Sequence, residues 1–127
     1  MATQEQILHY AWKYQLYAEP EWTTTDGEQL RVITPGIHNT DAGPDFFNAK
    51  VQLDDIIWVG NVEIHGRSSD WLRHGHDTNP AYDSVILHVV GEADTPIRRT
   101  DGSLIPQVVV RVPDKPSITI TKTVNKQ

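Results

Sequence analysis

Apolar residues near the start of the chain recur at helical intervals. Ile7, Leu8, Tyr10, Ala11, Tyr14, Leu16 and Tyr17 share one broad face, and Thr3 stands where an N-cap belongs. This predicts a helix that ends before Pro20. "TTTDGEQLRVITPG" predicts a hairpin turning at Asp26-Gly27. Gly, Asn, Asp and Pro crowd "GIHNTDAGP", which predicts a loop. "DFFNAKVQL" alternates, with Phe47, Ala49, Val51 and Leu53 on one face, and Asp54-Asp55 turns the chain. "IIWVGNVEI" begins apolar on both faces and predicts a central strand. "SSDWLRHGH" predicts a short helix capped by Ser68 or Ser69, "TNPAYDS" a loop, and "SVILHVVGEA" a buried strand. "TPIRRT" and "SLIPQVVVRV" predict a hairpin joined at Asp101-Gly102.

The collected order predicts an α+β fold: a mixed central sheet, one long N-terminal helix, one short helix and an extra C-terminal hairpin. Residues 1–115 are expected to form a single domain, with 116–127 a polar tail or an edge strand. The chain of 127 residues suffices for one core and not for two.

Charge narrows the partners. The first 63 residues carry three basic and ten acidic side chains, and the remainder eight and seven. The chain lacks the basic footprint of a tight non-specific nucleic-acid binder. The absence of cysteine excludes a disulfide framework and a thiolate zinc site. The first residues lack a basic leader followed by a continuous apolar stretch. The expectation is therefore a cytoplasmic protein with no membrane partner.

The candidate chemistry lies at Asp45, Glu63 and His65. Glu63 and His65 are two apart on a strand and so point to one side. Whether Asp45 joins them depends on the turn between the two strands. A two-residue turn pairs Leu53 with Ile56 and puts Asp45 on the wrong face, whereas an odd-length loop or a bulge brings it round. If the three converge, Asp45 and Glu63 make a hard oxygen site for Mg²⁺ or Mn²⁺, and His65 sits as a general base beside a bound water. Otherwise Asp45 caps its loop, Glu63 faces solvent and His65 bonds a neighbouring loop.

Other residues offer accessory roles. His38 and Asp41 lie in the loop before Asp45 and could face it. With His65, His74 and His76 would make a nitrogen-rich set that favours Zn²⁺ or Mn²⁺; read singly, they are loop residues making ordinary hydrogen bonds. Arg67 and Arg73 could meet phosphates or form a solvated face. His88, inside an apolar strand, reads as a satisfied core residue, and His9 as a helix-surface residue. Trp58, Trp71 and Tyr82 read as core or interface.

The stretch from Pro35 to Val90, with "HNTDAGPDF", "GNVEIH", "SSDW", "HGH" and "VILHVV", resembles an uncharacterised bacterial family of unknown function. Members of that family are longer, which implies that this chain is an N-terminal portion or a short relative. More distantly, Pro44-Asp45 and Glu63-x-His65, in the element order αβββαβ, resemble the core of the PD-(D/E)XK nucleases. That restriction-endonuclease-like resemblance implies a metal held by Asp45 and Glu63, help from Glu5 on the first helix, and DNA or RNA as substrate. It also implies a lysine at position 65, where this chain has histidine. Two alternatives stand beside a nuclease-like phosphodiesterase: a binding or scaffolding module on the same fold without catalysis, and a zinc-binding domain centred on His65, His74 and His76.

Overall fold

The computed structural model describes residues 2–16 and 22–111. The predicted polar tail or edge strand, and the predicted helix end at Pro20, lie outside these residues. Helix α1 (Gln4–Tyr14) starts at a capping box. The Thr3 hydroxyl accepts from the N–H of Gln6 at 3.1 Å, and the Gln6 side chain accepts from the N–H of Thr3 at 2.9 Å. The helix buries Leu8, Ala11 and Trp12, and the Trp12 indole donates to the Pro35 carbonyl at 3.0 Å.

The architecture is α+β, with a mixed seven-stranded sheet and few helices. Strands β1 (Trp22–Thr23) and β2 (Gln29–Thr34) form the predicted hairpin. The predicted loop contains a short strand, β3 (Ile37–His38), paired with the start of β4 (Phe46–Leu53). β4 also pairs antiparallel with β2 and with the long β5 (Ile56–Arg67). A single turn of helix, α2 (Asp70–Arg73), and two 3₁₀ turns, His76–Thr78 and Pro80–Tyr82, lead into β6 (Val85–Glu92). β6 runs parallel to β5, and β7 (Gln107–Val109) runs parallel to β6. The predicted hairpin at Asp101-Gly102 forms, with Ile105 donating to the carbonyl of Ile97. Its second arm then continues into the sheet as β7.

Of the two ways to bring Asp45 round, the structure uses the bulge, and three local expectations are corrected. The turn after β4 is the tight two-residue one, with Leu53 opposite Ile56 and Asp54 at φ 53°. The ladder then slips by one residue between Ala49 and Phe46, where Asn48 adopts φ 58° and forms a bulge on β4. The slip puts Phe46, not Phe47, into the core. The apolar start of β5 is also not central: Ile56, Ile57, Trp58 and Val59 are all exposed. β6 begins to pair with β5 only at Asn61, so among the described residues no strand covers that side of the hairpin tip. Ser69 precedes α2 as expected, but its hydroxyl bonds Asp94 instead of capping the helix.

From Val62 to His65 both faces of β5 are buried. Val62 and Ile64 join the main core with Leu8, Trp12, Phe46, Leu87 and Val89. Glu63 and His65 point to the opposite face, toward the histidine-bearing segment after α2. Among the described residues no helix is long and apolar enough to cross a membrane.

Candidate metal centre

The bulge at Asn48 sets the geometry. With the ladder displaced by one residue, Asp45 falls opposite Glu63 instead of opposite Ile64. Asp45 donates its backbone N–H to Glu63 Oε1 at 3.1 Å, and its carboxylate accepts from the N–H of Ile64 at 2.8 Å. The N–H of Asn48 itself bonds the Asn61 side chain at 3.2 Å, so the bulge leaves that donor satisfied.

Glu63 is the hub. Its Oε2 lies 3.0 Å from Nε2 of His76 and 3.3 Å from Nε2 of His65. Glu63 is 4% exposed and His65 1%. The ring of His74 meets that of His65 at 5.1 Å, and its own side chain is exposed. His65, His74 and His76 each offer a nitrogen, and these atoms lie within 4.8 Å of one another. The group could therefore hold a metal ion. Tyr82 stacks on His76 with ring centroids 3.7 Å apart and fixes that imidazole from the outside.

On its other side the cluster reaches α1. His9 Nε2 lies 3.4 Å from the Asp45 carboxylate and 4.0 Å from that of Glu5, one helical turn away. The ring of His38 packs on Phe46 and near His9. All six histidines of the sequence thus gather around the Asp45–Glu63 pair or on the rings that touch it.

Burial shifts the ionisable groups of the cluster. Burial, and then the Asp45 carboxylate beside it, push Glu63 far above the usual carboxylate range. Burial, then the neighbouring imidazoles, hold His65 down at about 2. Burial likewise lowers His76 and raises Glu5. A carboxyl raised in this way favours its neutral form in the folded protein. Two donors held side by side on one ion at about 2.0–2.2 Å lie about 3.0–3.5 Å apart. The separations from Glu63 to His65 and His76 fall in that range.

The remaining candidates divide. Glu5, His74 and His76 join Asp45, Glu63 and His65. Arg67 is exposed and faces Glu92 at 3.7 Å, and Arg73 is exposed and pairs with Asp70, so both meet carboxylates on the surface. Asp41 is exposed, and its main chain is held by the Asn39 side chain in a local turn. The sequence reads His9 as a helix-surface residue, Tyr82 as core or interface and His88 as a satisfied core residue; His88 is indeed fully buried and bonded to His65 and Gln107, whereas His9 meets Asp45. The spacing of Glu5 and His9 by four on one helix was the signal available for His9.

The fold and the cluster define a class: an α+β domain in which a buried carboxylate stands beside three histidines that could hold a metal ion. The chain belongs to a family of proteins of unknown function, DUF2851, whose model matches residues 5–127. No curated protein and no solved structure matches it.

Proposed function

We propose that the protein is a metal-dependent phosphodiesterase of the nuclease-like kind, with Glu63 and Asp45 as its acidic centre and nucleic acid as its substrate. The observation that carries this reading is the juxtaposition of Asp45 and Glu63 by the Asn48 bulge, with His65 and His76 on the free oxygen of Glu63. The run α1, β2, β4, β5, α2, β6 supports it. An antiparallel meander followed by a helix and a parallel strand is the order expected of a restriction-endonuclease-like core.

The donor set favours a borderline ion, Mn²⁺ or Zn²⁺, over Mg²⁺, because imidazoles stand beside the carboxylates. An ion there would polarise a phosphoryl oxygen and lower the pKa of the attacking water. Asp45 and Glu63 bring the negative charge that retains it, and the stacked His76 contributes a nitrogen that is held in place. Beside the cluster lies an open groove of about 230 Å³. It runs from His9 and His38 to Tyr10, Lys13 and Tyr14 on the exposed side of α1. Exposed tyrosines offer bases a stacking surface, and a lysine among them offers a phosphate its partner.

The test is calorimetric titration of the metal-free protein with Mn²⁺, Zn²⁺ and Mg²⁺, alongside cleavage of single- and double-stranded DNA and RNA. Metal-dependent cleavage that disappears in Glu63→Ala is expected. Tight Zn²⁺ binding with no cleavage of any of these substrates would leave the same centre as part of a binding or scaffolding module. The second reading, a histidine-dominated zinc site, is favoured by the closeness of His65, His74 and His76. A metal-loaded protein in which His74→Ala costs more affinity than Asp45→Ala would select it.

A further inference from the structure

Three adjacent parallel strands place one polar residue each at the same level of one face. Glu63 on β5 pairs with His88 on β6, and His88 pairs with Gln107 on β7. His88 is fully buried and Gln107 is 4% exposed, so both polar side chains sit inside the buried layer beside Glu63 and His65. They form a single chain of hydrogen bonds. His65 Nδ1 meets His88 Nε2 at 2.8 Å, His88 Nδ1 meets Gln107 Oε1 at 2.9 Å, and Gln107 Nε2 donates to the Thr95 carbonyl at 3.0 Å.

The direction of this chain is fixed from its far end. A main-chain carbonyl only accepts, so the Gln107 amide must turn its nitrogen toward Thr95 and its oxygen toward His88. The oxygen accepts, so His88 carries its hydrogen on Nδ1. The His88 Nε2 is then a bare lone pair, and His65 must carry its own hydrogen on Nδ1. What remains on His65 is the Nε2 lone pair, and that atom faces the carboxylate of Glu63.

We infer that His88 and Gln107 are positioning residues that lock His65 in the Nδ1–H tautomer and so present its Nε2 as a ligand to a divalent cation shared with Glu63 and His76. The inference rests on the metal-dependent reading above and sharpens it. The chain ends on a neutral amide and a carbonyl and contains no carboxylate. The one counter-charge beside His65 is Glu63, 3.3 Å from its Nε2, which is the carboxylate that would share the cation. On this inference His65 serves as a ligand in place of the general base that its sequence position suggests. Buried partners of this kind orient a metal-bound imidazole, and their loss lowers metal affinity about 10–100-fold.

Two measurements test it. In a long-range ¹H–¹⁵N spectrum of the metal-free protein at neutral pH, His65 and His88 should both show a protonated Nδ1 and a bare Nε2. A protonated Nε2 on either ring overturns the chain, whatever the metal does. In titrations with Mn²⁺ and Zn²⁺, His88→Leu and Gln107→Met should each weaken binding about 10–100-fold. His88→Gln should recover most of the affinity, because its amide oxygen can accept from His65 while its nitrogen donates to Gln107. Folded His88→Leu and Gln107→Met proteins with wild-type affinity would overturn the positioning role, as would a His88→Gln protein no better than His88→Leu. A wild type with the predicted tautomers that binds neither ion would instead overturn the metal reading, and with it the ligand role of His65.

Discussion

Asp45 and Glu63, eighteen positions apart, are joined by a 3.1 Å hydrogen bond from the backbone of the first to the carboxylate of the second. The bond depends on one extra residue in β4. Without the Asn48 bulge, the tight turn at Asp54-Asp55 would carry the ladder straight back and set Asp45 against Ile64. Position, not composition, therefore makes this pair. Asn is also one of the few residues other than glycine that adopts a left-handed backbone at low cost.

Deleting Asn48 takes out the surplus residue itself and leaves a regular ladder in which Asp45 still falls opposite Glu63. The variant should therefore keep the far-ultraviolet circular dichroism of the wild type and bind Mn²⁺ or Zn²⁺ with an affinity close to it. Asn48→Val should keep the bulge under strain and cost about 1–2 kcal/mol of stability. A folded deletion variant that binds no metal would show that register alone does not set the site.

The buried ionisable groups predict how the metal-free protein responds to pH. Glu63 is raised by burial and by Asp45, so the folded chain keeps a proton that the unfolded chain releases above about pH 4.5. That contribution is lost as pH rises toward the folded value. Burial lowers His65 to about 2 and His88 to about 4, so the unfolded chain alone takes up those two protons below about pH 6.5. That contribution is lost as pH falls. Two protons gained on the acid side outweigh the one retained by Glu63, which puts maximal stability near about pH 6.5. Above it, stability should decline steadily as pH rises. Glu63→Gln keeps the neutral shape without the ionisation. It should remove the alkaline decline and metal binding together. Urea denaturation in a chelator from pH 5 to 9 reads this directly, and a wild type whose stability keeps climbing to pH 9 contradicts the assignment.

His65→Ala separates ligation from base catalysis. As a ligand, His65 should take with it both metal affinity and cleavage. As a base, its removal would leave affinity intact and lower the rate about 10²–10⁴-fold. The hydrogen-bond polarity of the His88–Gln107 chain favours the first result. Retained affinity with lost rate would return His65 to the role of base. His65→Lys, which restores the residue of the nuclease pattern, should not rescue metal binding, because its amine would have to lose a proton inside the buried layer.

Some of this was legible in the sequence. The cap at Thr3, the hairpin at Asp26-Gly27 and the buried run from Val85 to Val90 each rest on short-range signals. The start of β5 misled because apolar residues on both faces say nothing about where a neighbouring strand begins, and β6 begins only opposite Asn61. The need for a bulge or an odd-length loop was readable, but its place was not: one asparagine among alternating residues carries no register information until the turn beyond it is known. His88 is the satisfied core residue that the sequence implies, but neither its partners nor those of His9 could be read from positions weighed singly. Their roles come from partners far along the chain: Asp45 lies thirty-six residues from His9, and Gln107 lies nineteen from His88.

The groove on α1 gives the last prediction. Tyr10 and Tyr14 are 59% and 53% exposed, with ring centroids 4.8 Å apart, and the Lys13 ammonium lies 5.3 Å from the Tyr14 ring. Side chains this exposed contribute little to the core, which α1 supplies through Leu8, Ala11 and Trp12. Tyr10→Ala and Tyr14→Ala should therefore leave thermal stability and metal affinity near wild type. If a strand lies along the groove, each should weaken substrate binding by about 1–3 kcal/mol, the usual worth of one base stacked on an aromatic ring. The loss should appear in KM and be larger for single-stranded than for double-stranded substrates, since only an unpaired base can offer its face. Lys13→Ala should act differently, flattening the salt dependence of binding by about one phosphate contact. Fluorescence anisotropy of labelled single strands across a salt series measures both effects. Tyrosine variants with unchanged affinity would remove the helix face from the substrate path and turn attention to the opposite side of the Asp45–Glu63 pair, where His74 stands exposed.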